Sequence, residues 1–369
     1  MLQNWLKPIS LDFLLDQHPQ SWQLGSSIAT YTHGFELPDW HKYPLVLITA
    51  EEEGMDLVRQ SLHALRVFQE SFALLDLGTL RKATDSLCLP LFEELFNAGV
   101  VPVLLSADSQ LNEVFLKAIQ QTCIQFSFTA LDDRLRRTPF YPGTESPYWD
   151  ALFSEEGKSL DHAHIIGLQG HLVPAEGFSY CEANGISLHR LGQSRQNITD
   201  LEPSLRQADL ITFQMSALKY GDFPSQFPAS PSGFTLDEVC QIARYAGLSD
   251  NLKGFSICGF HTESSSWGMD ARALAQILWY FLEGCYQKKG DLSGNFNGML
   301  EYLVESSKDG RMLTFWKSNR SGRWWIQVEK SPSRSGAAKE YSLIPVSYQD
   351  YLEACDGDLS ERVLKALLA

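Results

Sequence analysis

The chain has 369 residues, 44% hydrophobic and 12% aromatic, enough to bury one large α/β core or two ordinary ones. Its 45 acids outweigh 30 bases for a net charge of −15, and no basic stripe stands out, which argues against nucleic acid as a partner. No apolar run reaches the length of a membrane span, and the start MLQNWLKPISLDFLL lacks the basic region of a signal peptide, so no membrane partner is expected either.

Seven cysteines are scattered singly with no Cys-x-x-Cys, a pattern of reduced thiols in a cytoplasmic compartment, read as small buried hydrophobes without metal or redox roles.

After a lead segment (1–40), YPLVLITA (43–50) reads as a short buried strand and MDLVRQSLHALRVF (55–68) has helical periodicity. The alternation continues: strand 72–78, helix 86–99 stopping at Gly99, strand 100–108, helix 110–122, strand 124–133. Further strands are expected at 163–169, 186–191, 208–215 and 254–260, with helices at 200–208, 235–247 and 270–286. Thr235 or Ser232 suits the cap of the second of these helices, and Gly247 its end. Alternating strands and helices imply a mostly parallel sheet of about eight strands, covered on both faces: a three-layer αβα domain over 41–292.

The remainder, 293–369, differs in pattern. RMLTFWKSNRSGRWWIQVEK (311–330) predicts a hairpin, SPSRSGAAKE (331–340) a loop, YSLIPVS a third strand, and YQDYLEA and LSERVLKALL short amphipathic helices. Trp324 and Trp325 are neighbours on a strand and so face opposite sides, which suits packing of this appendage on the main domain.

Local motifs carry little chemistry. His162 and His164 share a strand face as two metal ligands could, with His171 close by in sequence, but they precede the strand's apolar end. His261 and Glu263 follow a strand and are better placed. EEEG (51–54) puts carboxylates where a phosphate-binding turn would sit, and neither G-x-G-x-x-G, a P-loop nor G-x-S-x-G occurs, which argues against dinucleotide dehydrogenases and serine hydrolases.

Taken together, the strand ends are more informative. GVVPVLLSADSQ, QFSFTALDD, HRLG, ADLITFQMSAL, ASPSGFTLDEVCQIARYAG and DARALAQILWYFLEG follow the order and rhythm of the ureohydrolase family of arginase, agmatinase and formimidoylglutamase, over about 45–290. The sequence resembles most a formimidoylglutamase-like branch with an extra C-terminal hairpin. The resemblance implies an arginase-like domain in which relatives bind two manganese ions, held by Gly-Gly-Asp-His, Asp-Ala-His-x-Asp and Ser-x-Asp-x-Asp segments, to activate a hydroxide.

Aligned on those segments, Ser109 stands where the family has a histidine, Thr129 where it has an acid, and Leu131 where it has a second histidine. Asp133 remains an acid, Gln214 and Ser216 replace two more, and Gly259 replaces a substrate-orienting glutamate. Asp108 or Asp132 enters only if a segment slips by one residue, which turns the side chain to the other strand face.

The expectation is therefore a ureohydrolase-fold pseudoenzyme with no metal and no cofactor, acting as a binding, regulatory or scaffold protein. Its old pocket, lined by Ser109, Thr129, Asp133, Gln214 and Ser216, would hold a small polar ligand or only water. The protein partner is unknown, and a homo-oligomer is implied by the family. The rival reading is a working metal-dependent hydrolase of formiminoglutamate or a related guanidino compound, recruiting His261, Glu263, Asp108 or Asp222.

Overall fold

The computed structural model of the chain describes residues 2–51, 53–68, 73–140, 147–153, 159–291, 298–306, 310–329 and 341–368. Two short strands, β1 (Leu6–Lys7) and β2 (Ala29–Thr30), precede eight others: β3 (Leu45–Thr49), β4 (Leu74–Leu80), β5 (Val101–Ser106), β6 (Gln125–Leu131), β7 (Ser159–Leu168), β8 (Ile186–Arg190), β9 (Leu210–Gln214) and β10 (Gly254–Cys258). These form one sheet in which β3 to β10 are parallel in the order β4-β3-β5-β10-β9-β6-β7-β8. β1 pairs antiparallel and β2 parallel with β4, so the lead segment adds to the sheet edge, which its sequence did not suggest.

Helices α1 (Leu11–Asp16), α2 (Met55–His63), α3 (Asp85–Asn97), α4 (Gln110–Thr122), α5 (Ala175–Ala183), α6 (Leu191–Gln196), α7 (Glu202–Gln207), α8 (Leu236–Gly247) and α9 (Trp267–Tyr286) complete this part. Strand alternation divides the core between the two sheet faces. Leu47, Val103, Leu131, Ile211 and Phe213 pack under α2, α8 and α9, whereas Val46, Leu104, Phe128, Ala130 and Leu210 pack under α3 and α4.

Helix α8 starts at a capping box: Thr235 accepts from the Glu238 amide, and the Glu238 carboxylate accepts from the Thr235 amide at 2.7 Å. It crosses α9 closely because Gly247 and Gly284 meet there. A Cβ on Gly247 would run into the Phe281 carbonyl oxygen, and one on Gly284 into that of Arg244.

Among the described residues, the C-terminal part holds one strand more than the hairpin, third strand and two short helices expected from sequence. Strands β11 (Met299–Glu305), β12 (Met312–Ser318), β13 (Trp324–Glu329) and β14 (Tyr341–Val346) form an antiparallel sheet in that order, followed by α10 (Tyr348–Cys355) and α11 (Glu361–Leu368). β12 and β13 are the expected hairpin and β14 the third strand. β11 escaped notice because its exposed Leu300 and Leu303 break the alternation of a half-buried strand.

Trp325 faces Arg206 of α7, whose guanidinium carbon lies 4.3 Å from the ring centre, while Trp324 stacks on Tyr351 of its own unit at 4.5 Å. The expected boundary at 292–293, the loop 331–340 and Glu52 of EEEG lie outside the described residues. Among the described residues, no helix is long and apolar enough to cross a membrane.

Candidate functional site

The carboxyl ends of the central strands β5, β10, β9 and β6 point the same way, and ligands of open parallel sheets collect at such ends. Gln214 closes β9. Ile211 and Phe213 enter the core, so alternation sends Thr212 and Gln214 to the other face. The fully buried Gln214 amide is held at both ends: Oε1 accepts from Ser109 Oγ at 3.0 Å and from Cys258 Sγ at 3.0 Å, and Nε2 donates to the Phe227 carbonyl at 3.2 Å. Below it, Asn112 Nδ2 donates to Cys258 Sγ at 2.8 Å, and Asn112 Oδ1 accepts from Ser256 Oγ at 2.8 Å. Burial pushes the Cys258 thiol up to about 12, which keeps it a proton donor to Gln214.

Gly259 has φ +81°, and a Cβ there would collide with the Gln214 amide nitrogen.

A second cluster begins where β6 ends. Asp132 and Asp133 are both fully buried, facing two arginines in the same turn. Arg136 Nε donates to Asp132 Oδ2 at 2.9 Å, and Tyr148 Oη donates to the same oxygen at 2.7 Å. Arg136 Nη2 donates to Ser216 Oγ at 2.9 Å and lies 3.5 Å from Asp133 Oδ1. Ser216 in turn donates to Asp133 Oδ1 at 2.8 Å, and Arg134 grips both Asp133 oxygens at 2.9 and 2.6 Å.

Burial acts to raise the Asp133 carboxyl, but the Arg134 hydrogen bonds and the Arg136 charge outweigh it and hold it below the usual range. At Asp132 burial prevails over Arg136 and raises the carboxyl to about 6.

The seven positions taken from the family alignment therefore do not line one pocket. Ser109, Gln214 and Gly259 form one cluster, and Asp133 and Ser216 belong to the other. Thr129 donates to the Ser204 carbonyl at 3.3 Å, and Leu131 is core. None of the six that carry a side chain is more than 4% exposed, so hydrogen-bonding groups expected to face a cavity face one another.

The rival candidates are dispersed. Asp108 accepts from the Gln110 amide at the start of α4 and Asp222 from the Leu236 amide at the start of α8, both at helix N-termini. His261 lies 4.5 Å from the Phe227 ring, and Glu263 is exposed. His164 Nδ1 meets Nε2 of His189 on the next strand at 3.1 Å. Among the described residues, no group of three or more His, Cys, Asp or Glu side chains is arranged to hold a metal ion.

Sequence reading passed over Arg134, Arg136, Tyr148 and Cys258. The signal was DDRLRR: two acids followed by arginines three and four residues on. The same reading took Glu51 only as one of the EEEG carboxylates that argue against a phosphate-binding turn; its Oε1 accepts from Ser106 Oγ at 3.2 Å, and burial raises its carboxyl to about 7.

No protein-family model matches the chain, and no curated protein matches its sequence. Solved structures do. A Trypanosoma cruzi formiminoglutamase with Mn2+2 superposes with a TM-score of 0.62 at 15% identity, over 72% of this chain and 99% of that one. The formimidoylglutamase from Bacillus subtilis gives 0.61 at 19%, over 74% and 94%. The agmatine ureohydrolase of Thermoplasma volcanium gives 0.52 at 14%, over 73% and 96%.

The fold is that of the arginase superfamily. At such identities the likeness concerns the arginase fold alone, and it agrees with the resemblance read from the strand ends. It also corrects one expectation. The sequence reading assigned no cofactor, yet an arginase-fold structure that this chain matches carries a manganese pair, so that assignment does not stand.

Proposed function

We propose that this arginase-fold chain is a binding or regulatory protein and not a hydrolase of linear amidines. The observation that carries the reading is the bond set of Arg136, which joins Asp132, Asp133 and Ser216 at the end of the central strands. A manganese pair needs several carboxylates and imidazoles converging with lone pairs to spare. Here the two buried acids already face guanidinium groups, and Ser109, Gln214 and Ser216 bond to one another or to those acids. This donor set does not fit two hard cations, and no hydrolytic step is derived through them.

The test is direct. The purified full-length chain is incubated with Mn2+ and, in turn, formiminoglutamate, arginine and agmatine, with formamide and urea assayed. The expected result is no product above the protein-free control; turnover of any of the three overturns the reading.

A second reading, a metal-dependent hydrolase of formiminoglutamate type, draws on the named activities of the similar structures and on Glu51. Its Oε2 is buried without a hydrogen-bond partner among the described residues, next to the β5 strand end. Manganese-dependent turnover that disappears in Glu51→Gln would favour it. Self-association remains part of the proposal and is measured by sedimentation equilibrium.

A further inference from the structure

At the amino ends of the central strands, opposite the Gln214 cluster, three reactive groups meet. Lys253, just before β10, places Nζ 3.2 Å from the sulfur of Cys123, just after α4, and 3.0 Å from Asp209 Oδ1, just before β9. The arrangement is built into the backbone. The Lys253 amide donates to the Asp209 carbonyl at 2.7 Å, and Asp209 Oδ2 accepts from the Ser127 amide at 2.8 Å. Cys123 is half-buried and the Lys253 side chain is 39% exposed, so a small oxidant reaches both.

The other cysteines differ. Burial raises the thiols of Cys88, Cys181 and Cys285 to about 11 and those of Cys240 and Cys258 to about 12, leaving them inert as nucleophiles near neutral pH. Cys355 is exposed but lies in the last turn of α10, next to Tyr351 rather than a lysine.

We infer that Cys123 and Lys253 form a peroxide-sensitive modification site that closes to a reversible covalent bridge. Hydrogen peroxide is the oxidant. The sulfur attacks one peroxide oxygen, the O–O bond breaks, and sulfenic acid and water result; sulfur loses two electrons and the peroxide gains them. The Lys253 nitrogen then gives up a proton and attacks sulfur with its lone pair. The S–O bond breaks, the leaving hydroxide takes a second proton from the attacking nitrogen and departs as water, and a neutral sulfenamide S–N bond remains, the first proton having passed to solvent. Before oxidation the Lys253 ammonium lies 3.2 Å from the sulfur that attacks. Asp209 holds the ammonium there. The bridge would span 130 residues of sequence and tie the α4–β6 turn to the start of β10. The inference is independent of whether the chain hydrolyses amidines.

The full-length chain is treated with hydrogen peroxide and mapped by peptide mass spectrometry. The expected product is a Cys123 peptide joined to a Lys253 peptide at their summed mass less two hydrogens, released by dithiothreitol, with an upward shift of the thermal midpoint that dithiothreitol reverses. Lys253→Met should abolish the bridge and slow dimedone labelling of Cys123 at least several-fold, while labelling of Cys355 stays unchanged. Absence of the joined peptide overturns the inference. So does labelling of Cys123 that is no faster than that of Cys355, or that is unaffected by Lys253→Met.

Discussion

Gln214 and Gly259 share one space. A Cβ on Gly259 would fall inside van der Waals contact of the Gln214 amide nitrogen, and the left-handed φ of +81° at Gly259 already disfavours a side chain. The family alignment puts a glutamate at 259 and an acid at 214; this chain has a glycine at one and a glutamine folded over it at the other.

Gly259→Ala should therefore destabilise by about 1–2 kcal/mol from the left-handed backbone alone, with a further cost from displacing Gln214. Gln214→Ala removes the obstacle, so the double variant should lose less than the sum of the singles. Urea unfolding of the four proteins measures this coupling.

Arg136 neutralises two fully buried carboxylates. Arg136→Met leaves Asp132 and Asp133 short of their shared cation and should cost roughly 3–5 kcal/mol. Adding Asp132→Asn removes one of the stranded charges and should recover part of that loss. Denaturation midpoints at neutral pH check both. A loss below 1 kcal/mol would mean that the Arg136 cluster contributes little to the fold.

The half-buried imidazole pair His164–His189 predicts weakness in acid. Burial first, then the charges of Arg362 and Lys365 on α11, lower His189 to about 4 from an ordinary 6.5, against an opposing pull from Glu361; His164 is lowered too, by burial first and then by the charge of His189. The unfolded chain thus binds the proton first as pH falls, and the stability owed to neutral His189 is present above 6.5 and lost between 6.5 and about 4. His189→Gln should flatten that part of the stability profile relative to the parent chain. Equal slopes in the two proteins would count against it.

Arg206 anchors the C-terminal sheet to α7. Its Nε donates to Glu202 at 2.8 Å and its Nη2 to the Trp324 carbonyl at 3.1 Å, with the Trp325 ring against the guanidinium. Arg206→Ala should cost about 1–3 kcal/mol for the partners it strands, and the C-terminal part should become the first region cut in limited proteolysis. Cleavage beginning elsewhere would argue that this contact does not hold the sheet in place.

The parallel core was readable because most of its strands are short apolar runs followed by a helix of period 3.6, some with a cap such as Thr235 or a glycine stop. β11 was not, since its exposed leucines follow neither period. The site was half legible. Strand alternation fixes which residues of LITFQ leave the core, but not what Gln214 meets there, because Ser109, at the start of α4, and Cys258, at the end of β10, are 105 and 44 residues away in sequence. As a run, DDRLRR drew no reading from the sequence. Its burial depends on Tyr148 and Ser216 arriving from elsewhere, and composition carries no such information.

What the sequence determined by itself is therefore local: where the strands of the parallel sheet lie, which of their residues are apolar, and which residue types stand at the tips of the central strands. Only the tertiary structure decided that those tips close on one another through Gln214 and Arg136, and that Cys123 lies against Lys253. The physical reason is range. Periodicity and capping act within a few residues, whereas hydrogen bonds and ion pairs form between groups that only the packed sheet brings within 3 Å or so of each other.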